Sequence, residues 1–197
     1  MDYSASSVKY SFWFVETRET ARLLKDRTLD ETRIYICEEN IYQQKDQSRI
    51  INEFGCISRR LEAIPESLRD LLLRADIATA KLVVLISAMA SDRLLFEFVN
   101  ESFREKVRLG DEEFIDADLN IFFNNKAEQS AVIKDWTEGT VKKLKQKYKR
   151  FLIDAGLLKK ENTKRILIEK PYIDPELRNV LITESMAGYL YALTGEM

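Results

Sequence analysis

The sequence predicts a mainly α-helical protein with two lobes. Among its 197 residues only 6 are Gly and 3 are Pro, which is too few for a loop-rich or all-β chain. Apolar residues recur at helical spacing along almost the whole chain, and this pattern indicates a succession of amphipathic helices. The hydrophobic content of 45% is sufficient for a substantial core, and the charged content of 32% predicts a well-solvated surface.

The first lobe, residues 1–109, is predicted to be a bundle of helices. The apolar patterns place helices near residues 15–25, 30–41 with Asp30 as the N-cap, 47–61, 65–75, 76–90 and 91–110. Gly110 is suited to end the last of these helices and Asp111 to begin the next one, so we place the boundary between the lobes there. The polar stretch at residues 123–130 is an alternative boundary.

The most hydrophobic stretch, Leu82–Ala90, is predicted to be a core helix and not a membrane span. It is nine residues long, whereas a helix that crosses a bilayer needs about 20 apolar residues. The first residues, MDYSASSVKYSFWF, include an acidic second position and no long apolar run, unlike a secretory signal peptide. We therefore expect a cytoplasmic protein that makes no membrane contact.

The second lobe, residues 110–197, is predicted to contain a long helix followed by a β-hairpin. Trp136 and Thr137 are suited to staple and cap a helix that ends at Gly156. The runs LLKK and RILIEKP flank a polar turn, which indicates two short strands. A last helical pattern begins at Asp174. A helix followed by a hairpin is the order found at the end of a winged helix-turn-helix, so this lobe is predicted to be winged-helix-like.

Positive charge is concentrated in the second lobe, although the whole chain has a formal net charge of -2. Residues 136–165 contain ten basic and three acidic residues, a net charge of +7. Six of the basic residues lie in the predicted long helix, namely Lys142, Lys143, Lys145, Lys147, Lys149 and Arg150. The other four lie in the predicted hairpin, namely Lys159, Lys160, Lys164 and Arg165.

A helical projection separates the long helix into an apolar face and a basic face. At about 100° per residue, the apolar side chains fall together on one side, namely Val141, Leu144, Tyr148, Phe151, Leu152 and Ala155. This face is predicted to be buried. The basic residues line the two sides of the solvent face, with Lys142, Lys145 and Lys149 on one flank and Lys143, Lys147 and Arg150 on the other.

The ten basic residues predict a surface that binds nucleic acid. Like charges at helical spacing repel by a few tenths of a kcal/mol per pair, and the phosphates of a nucleic acid would offset that repulsion. Lys outnumbers Arg in the set, which favours contacts with the backbone over contacts with bases. Three alternatives stay open: a basic face that is only solvated, a scaffold that docks an acidic protein, and an RNA-binding module.

Enzymatic chemistry has little support in the sequence. The chain contains no His, which removes the commonest general base and most zinc sites. The two cysteines, Cys37 and Cys56, match no metal-binding spacing. The acidic stretch DEEFIDAD (111–118) does not fit an EF-hand loop. We therefore expect a non-enzymatic protein with no catalytic residue, metal, cofactor or small-molecule substrate.

Four stretches of the chain are informative in combination, namely YSASSVKYSFWFVETRETARLL (3–24), LISAMASDRLLFEF (85–98), WTEGTVKKLKQKYKRFLIDAGLL (136–158) and YIDPELRNVL (172–181). Together they resemble the BrxA family of BREX phage-defence systems. These stretches occur in order over almost the whole chain, and their order and spacing carry the resemblance.

The resemblance implies a small, all-helical accessory protein without enzymatic activity. It implies an adaptor that works with other BREX components, among them a methyltransferase, an ATPase and a phosphatase-like protein. Members of the family are associated with binding of double-stranded DNA. The resemblance supplies no site residues, so the basic residues of the second lobe remain an inference from charge.

Overall fold

The computed structural model describes residues 2–162 and 165–196 and confirms a mainly α-helical fold with one small β-hairpin. The chain forms two compact units. One unit is Phe12–Ser91, and the other combines the residues up to Ser11 with those from Asp92 onward. The structure therefore divides the chain at residue 91, whereas the sequence placed the boundary at residue 110.

The unit Phe12–Ser91 is a five-helix bundle. Its helices are α1 (Phe14–Leu23), α2 (Leu29–Glu38), α3 (Gln47–Glu62), α4 (Glu66–Arg74) and α5 (Ile77–Ser91). The predicted core helix is confirmed as α5, in which the consecutive residues Val83, Val84, Leu85 and Ile86 are all fully buried. Four consecutive residues point to all sides of a helix, so α5 is surrounded by protein. Across the part of the chain that the structure describes, no helix is long and apolar enough to cross a membrane.

The start of α2 differs from the prediction, because Thr28 is its N-cap and Asp30 is not. The Thr28 side chain accepts a hydrogen bond from the Glu31 backbone N–H at 3.3 Å, and the Glu31 carboxylate accepts one from the Thr28 backbone N–H at 2.8 Å. This reciprocal capping box satisfies two backbone donors, whereas a cap at Asp30 would lack that arrangement. Asp30 lies instead in the first turn, where its charge favours the helix dipole.

The second unit contains the remaining helices and the hairpin. Its elements are a short 3₁₀-helix (Ser6–Lys9), α6 (Arg93–Phe98), a π-helical turn (Val99–Phe103), α7 (Arg104–Leu109), α8 (Asp116–Gln129), α9 (Ala131–Lys134), α10 (Glu138–Asp154), β1 (Leu158–Lys160), β2 (Ile166–Ile168), α11 (Pro175–Thr183) and α12 (Ala187–Thr194). Residues 93–109 are helical throughout, as predicted, but with a π-helical turn that the apolar pattern did not indicate.

The contacts of Asp92 explain why the first residues of the chain belong to this unit. Asp92 caps α6 by accepting a hydrogen bond from the Leu95 backbone N–H at 3.1 Å. Its carboxylate also accepts hydrogen bonds from the Ser7 hydroxyl and from the Tyr148 hydroxyl, the latter at 3.4 Å. Gly110 does end α7, in the left-handed conformation with φ 75°, but this turn lies inside the unit and not at its edge.

The next helix begins later than predicted, because residues 112–114 pair with the hairpin. The Phe114 backbone N–H donates to the Ile166 carbonyl, and the Ile168 backbone N–H donates to the Glu112 carbonyl, both at 2.9 Å. α8 therefore starts at Asp116 and not at Asp111. The hairpin itself is antiparallel, with Leu158 opposite Ile168 and Lys160 opposite Ile166.

A buried cation fixes α8 against α6 and the π-helical turn. The Lys126 amine lies 2.6 Å from the carboxylate of Glu97 and 2.6 Å from that of Glu101. Only 3% of Lys126 is exposed, so losing either carboxylate would leave a poorly compensated buried charge. This anchoring positions α8 beside α10, where the predicted basic surface lies.

Candidate nucleic-acid interface

The helix α10 has the ends and the buried face that the sequence predicted. Thr137 is its N-cap and accepts a hydrogen bond from the Thr140 backbone N–H at 3.2 Å. Gly156 follows its last turn with φ 83°, a conformation that costs glycine little. Of the six apolar residues, five are buried, namely Leu144, Tyr148, Phe151, Leu152 and Ala155, while Val141 is half-buried. The opposite face is therefore the one available to a partner.

Aromatic packing holds this buried face in place. The Tyr148 ring is stacked near Phe98 and Phe123, with centroid distances of 5.5 and 6.0 Å. Burial raises the pKa of the Tyr148 hydroxyl well above its ordinary value, and the nearby charge of Asp92 raises it further. Tyr148 therefore remains protonated and can donate to Asp92. The rotation of α10 about its axis is thus fixed, and with it the direction of each lysine.

The flank of α10 that faces α8 carries three lysines in different environments. The Lys149 amine lies 2.6 Å from the Asp116 carboxylate. The Lys145 amine donates to the Asn120 side-chain oxygen at 2.8 Å and lies 5.6 Å from the centre of the Phe123 ring. Partial burial lowers the pKa of Lys145. Lys142 is exposed.

The other flank has a similar mixture of paired and open cations. The Arg150 guanidinium lies 2.9 Å from the Asp154 carboxylate one turn later. The Lys147 amine donates to the Ser11 hydroxyl at 3.3 Å. Lys143 is exposed.

The hairpin contributes two open cations and one paired cation. Lys159 and Lys160 are both exposed on β1. The Arg165 guanidinium lies 2.6 Å from the Glu113 carboxylate and 3.0 Å from that of Glu161. Lys164, the tenth predicted site residue, lies outside the described residues.

Seven of the nine described site residues fall into two groups with different electrostatic character, while Lys145 and Lys147 belong to neither group because each donates to a neutral side-chain oxygen. The open cations, namely Lys142, Lys143, Lys159 and Lys160, form no ion pair with any residue in 2–162 or 165–196. The paired cations, namely Lys149, Arg150 and Arg165, each have a carboxylate within 3.0 Å. A carboxylate neutralises much of the field of its partner, so the open cations dominate the attraction of an anionic ligand.

The acidic stretch at 111–118 likewise has a structural explanation. The Lys106 amine lies 3.0 Å from the Asp111 carboxylate and 3.1 Å from that of Asp118. Asp118 also caps α8 by accepting from the Ile115 backbone N–H at 2.8 Å. These carboxylates therefore hold the turn between α7 and α8 together.

Two features of this surface could not be found from the sequence. A groove of about 560 Å³ runs between α8, α9 and α10. The exposed Lys134 of α9 stands beside the groove together with Lys142, although it is separated from the basic run along the chain. Only the packing of α8 and α9 against α10 brings these residues together.

Comparisons with known proteins agree with the predicted resemblance. The family model described as BrxA matches residues 1–185. A BREX protein BrxA from Bacillus cereus (strain H3081.97) is 35% identical over 184 residues, which cover 93% of this chain and 92% of that protein. The crystal structure of an uncharacterized protein from Magnetospirillum magneticum has the same fold, with a TM-score of 0.83 at 20% identity over 98% of this chain and 99% of that one. The chain belongs to the BrxA family.

Proposed function

We propose that this protein is a non-enzymatic, DNA-binding adaptor of a bacterial BREX phage-defence system. Membership of the BrxA family and the name of the Bacillus cereus relative, a BREX protein, support the place in such a system. The proposed partners are duplex DNA and other BREX components, with neither a membrane nor a small-molecule substrate. Because bacterial DNA lies in the cytoplasm, this function also places the protein there.

The open cations are the observation that carries the DNA-binding part of the proposal. They form two pairs, Lys142 with Lys143 in the first half of α10 and Lys159 with Lys160 on β1. From Lys143 to the end of the helix at Asp154 is about 17 Å, at 1.5 Å per residue. Duplex DNA carries one negative charge per about 1.7 Å of its axis, so phosphates are available along that whole length, and we propose that one duplex contacts both pairs.

The arrangement of helix and hairpin supports the same function. α10 is followed directly by β1 and β2, which is the order of the last helix and the wing in winged helix-turn-helix domains. We therefore propose a winged-helix-like use of this region, in which α10 and β1 both approach the duplex. The abundance of Lys favours contacts with phosphates, which position a protein on DNA without selecting a base sequence.

Two double variants of α10 test the proposal. Lys142→Gln with Lys143→Gln removes two open cations, and Lys149→Gln with Arg150→Gln removes two paired cations from the same helix. Both variants change the net charge equally, so any difference in their DNA affinity reports on which cations contact the phosphates. Since each lost phosphate contact removes about 0.9 from the slope of log affinity against log salt, we expect the open-cation variant to lose about 2 from that slope. The paired-cation variant should lose much less.

The measurement is binding to two unrelated duplexes over a series of salt concentrations. Equal weakening by both variants would show that open and paired cations contribute alike and would remove the open cations as the preferred contacts. Unchanged binding by the open-cation variant would leave α10 as a solvated face. The scaffold alternative would gain support if an acidic protein competed with the duplex for the open cations, and the RNA alternative if RNA bound more tightly than DNA.

A further inference from the structure

The groove between α8, α9 and α10 has the size and composition of a ligand site. Its volume of about 560 Å³ lies within the range of roughly 300–1,000 Å³ that is typical of small-ligand sites. Buried Leu119 and Phe123 contribute to its floor from α8. The half-exposed indole of Trp136 contributes to its wall just before α10.

Three exposed amide side chains surround this apolar floor. Asn120 and Asn124 come from α8, and Gln146 comes from the solvent face of α10. Each amide carries both hydrogen-bond donors and an acceptor. Paired donors and acceptors are what the edges of nucleobases require.

Lysines on both sides supply the positive charge for phosphates. Lys134 and Lys142 are exposed on the rim. Lys145 reaches into the groove and donates to the neutral Asn120 oxygen, and it forms no ion pair with any residue that the structure describes. A phosphate could therefore approach Lys145 without displacing a carboxylate.

We propose that this groove binds one or two unpaired nucleotides of a single-stranded nucleic-acid segment. Trp136 would stack on a base, the amides would hydrogen-bond its edge, and Lys142 and Lys145 would contact the adjoining phosphates. The inference rests on the proposed nucleic-acid function, to which it adds a site for single strands distinct in chemistry from the backbone contacts with a duplex.

The composition of the groove favours a nucleotide over an acidic peptide. An acidic peptide would use the lysines and the apolar floor but would leave the half-exposed Trp136 ring and three amides without a specific role. The rim also carries the carboxylates of Asp116 and Glu138, which weaken a site that attracts anions by charge alone. Stacking on an aromatic ring does not depend on charge and tolerates any base.

Trp136 makes the site directly measurable. The chain has two Trp residues, so Trp13→Phe leaves Trp136 as the single indole reporter. Titration of this variant with an oligothymidylate of about eight nucleotides, within the usual range of single-strand site sizes, should quench the fluorescence of Trp136. A blunt duplex of the same length should bind through the open cations without that quenching.

Substitutions in the groove then separate this site from the duplex surface. Trp136→Leu should weaken binding of the oligothymidylate by about tenfold, while Trp136→Phe, which retains an aromatic ring, should keep most of the affinity. Asn124→Ala, at an exposed position where we expect little effect on stability, should also weaken binding of the single strand. Binding of the blunt duplex should change little in all three variants.

Each outcome bears on the proposal. Duplex binding without any quenching by the single strand would overturn the groove site and leave the proposed function standing. Failure of both nucleic acids to bind would overturn both. Equal quenching by oligoglutamate would show that the groove accepts any flexible anion and would overturn its assignment to nucleotides. Selective quenching by the single strand that depends on Trp136 would support it.

Discussion

The helices α5 and α10 are similar in length, at 15 and 17 residues, yet they have opposite roles in the molecule. α5 is buried on all sides through its middle turns, and no charged residue occurs between Lys81 and Asp92. α10 buries one face and exposes a cationic one. One unit is thus built on a helix whose middle turns are enclosed, while a helix of the other unit exposes positive charge.

This difference shows that the hydrophobicity of a helix predicts only its burial, whereas its amphipathicity also predicts which face is exposed. A helix that is apolar all round must be enclosed, whether by protein or by lipid, and its sequence alone identifies only that need. An amphipathic helix reveals both what it buries and what it exposes. Function is therefore easier to infer from α10 than from α5, although α5 contributes more to the core.

The largest expected effect is on the buried face of α10. Phe151 is 1% exposed, and Phe151→Ala should lower the free energy of unfolding by about 3–5 kcal/mol, because the lost contacts leave a cavity. Leu85→Ala in α5 should cost about 2–5 kcal/mol. Gln146→Ala, on the solvent face of α10, is the control and should change stability by less than about 0.5 kcal/mol. Urea denaturation followed by circular dichroism measures the free energy of unfolding of all three variants. If Phe151→Ala had the same stability as the wild type, the wrong face of α10 would have been assigned to the core.

The next effect concerns a carboxyl group within the unit that contains α5. Glu53 on α3 is 4% exposed, and the Gln44 amide donates to one of its oxygens at 3.1 Å. Its other oxygen has no hydrogen-bond partner among the described residues. Burial, together with the nearby charge of Glu16, raises the pKa of Glu53 to about 7.

The sign of the pH effect follows from this raised pKa. The ordinary pKa of Glu53 is 4.5, so between pH 4.5 and 7 the unfolded chain ionises while the folded chain keeps the proton. The folded state therefore loses stability as pH rises through this window, on the order of 3 kcal/mol in total. Glu53→Gln should match the wild type near pH 4 and be more stable above pH 7. Parallel stability curves for the two proteins from pH 4 to 8 would contradict this prediction.

A smaller effect is expected where α10 ends. Gly156 has φ 83° with open space around the position of a Cβ atom, so a side chain there would meet no clash. Gly156→Ala should therefore cost only the strain of the left-handed conformation, about 1–2 kcal/mol. The equivalent change at Gly139, inside α10, should instead stabilise the helix by up to about 1 kcal/mol. Thermal unfolding of both variants measures these two changes in stability. If both variants were stabilised, or both destabilised, the prediction would be contradicted.

The sequence predicted the local features of the fold because local spacing determines them. The buried face of α10, the cap at Thr137, the turn at Gly156 and the core helix near 76–90 all follow from residues within a few turns of one another. The start of α8 could not be predicted from neighbouring residues, because residues 112–114 pair with β2, which lies more than 50 residues further along the chain.

The same distinction applies to the candidate site. A helical projection grouped Lys142, Lys145 and Lys149 on one flank, but it could not show that α8 brings a carboxylate to Lys149 and an amide to Lys145. Asp116 is 33 residues from Lys149 in the chain. Whether a lysine is open or paired depends on which helix packs beside it, and a single sequence carries no local signal of that neighbour.

The smallest predicted effect tests the distinction between open and paired cations in the absence of any ligand. The Lys149 side chain is 25% exposed and that of Asp116 is 78% exposed, so their ion pair is largely solvated and should contribute about 0.5 kcal/mol to stability. Lys149→Gln should therefore destabilise the protein by about that amount, and less at high salt. In the background of Asp116→Asn the same substitution should have almost no effect, since the partner charge is already gone.

Lys142→Gln is the matched substitution at an open cation on the same flank. It removes no ion pair that the structure shows, and the relief of repulsion from Lys145 offsets the lost attraction of Glu138 one turn earlier, so it should change stability by no more than a few tenths of a kcal/mol. Differences this small require urea titrations in replicate at low and high salt. If Lys142→Gln destabilised the protein as much as Lys149→Gln did, with the same salt dependence, then Lys142 would have an acidic partner in solution. The open cations would then lose the property on which their proposed role in DNA binding rests.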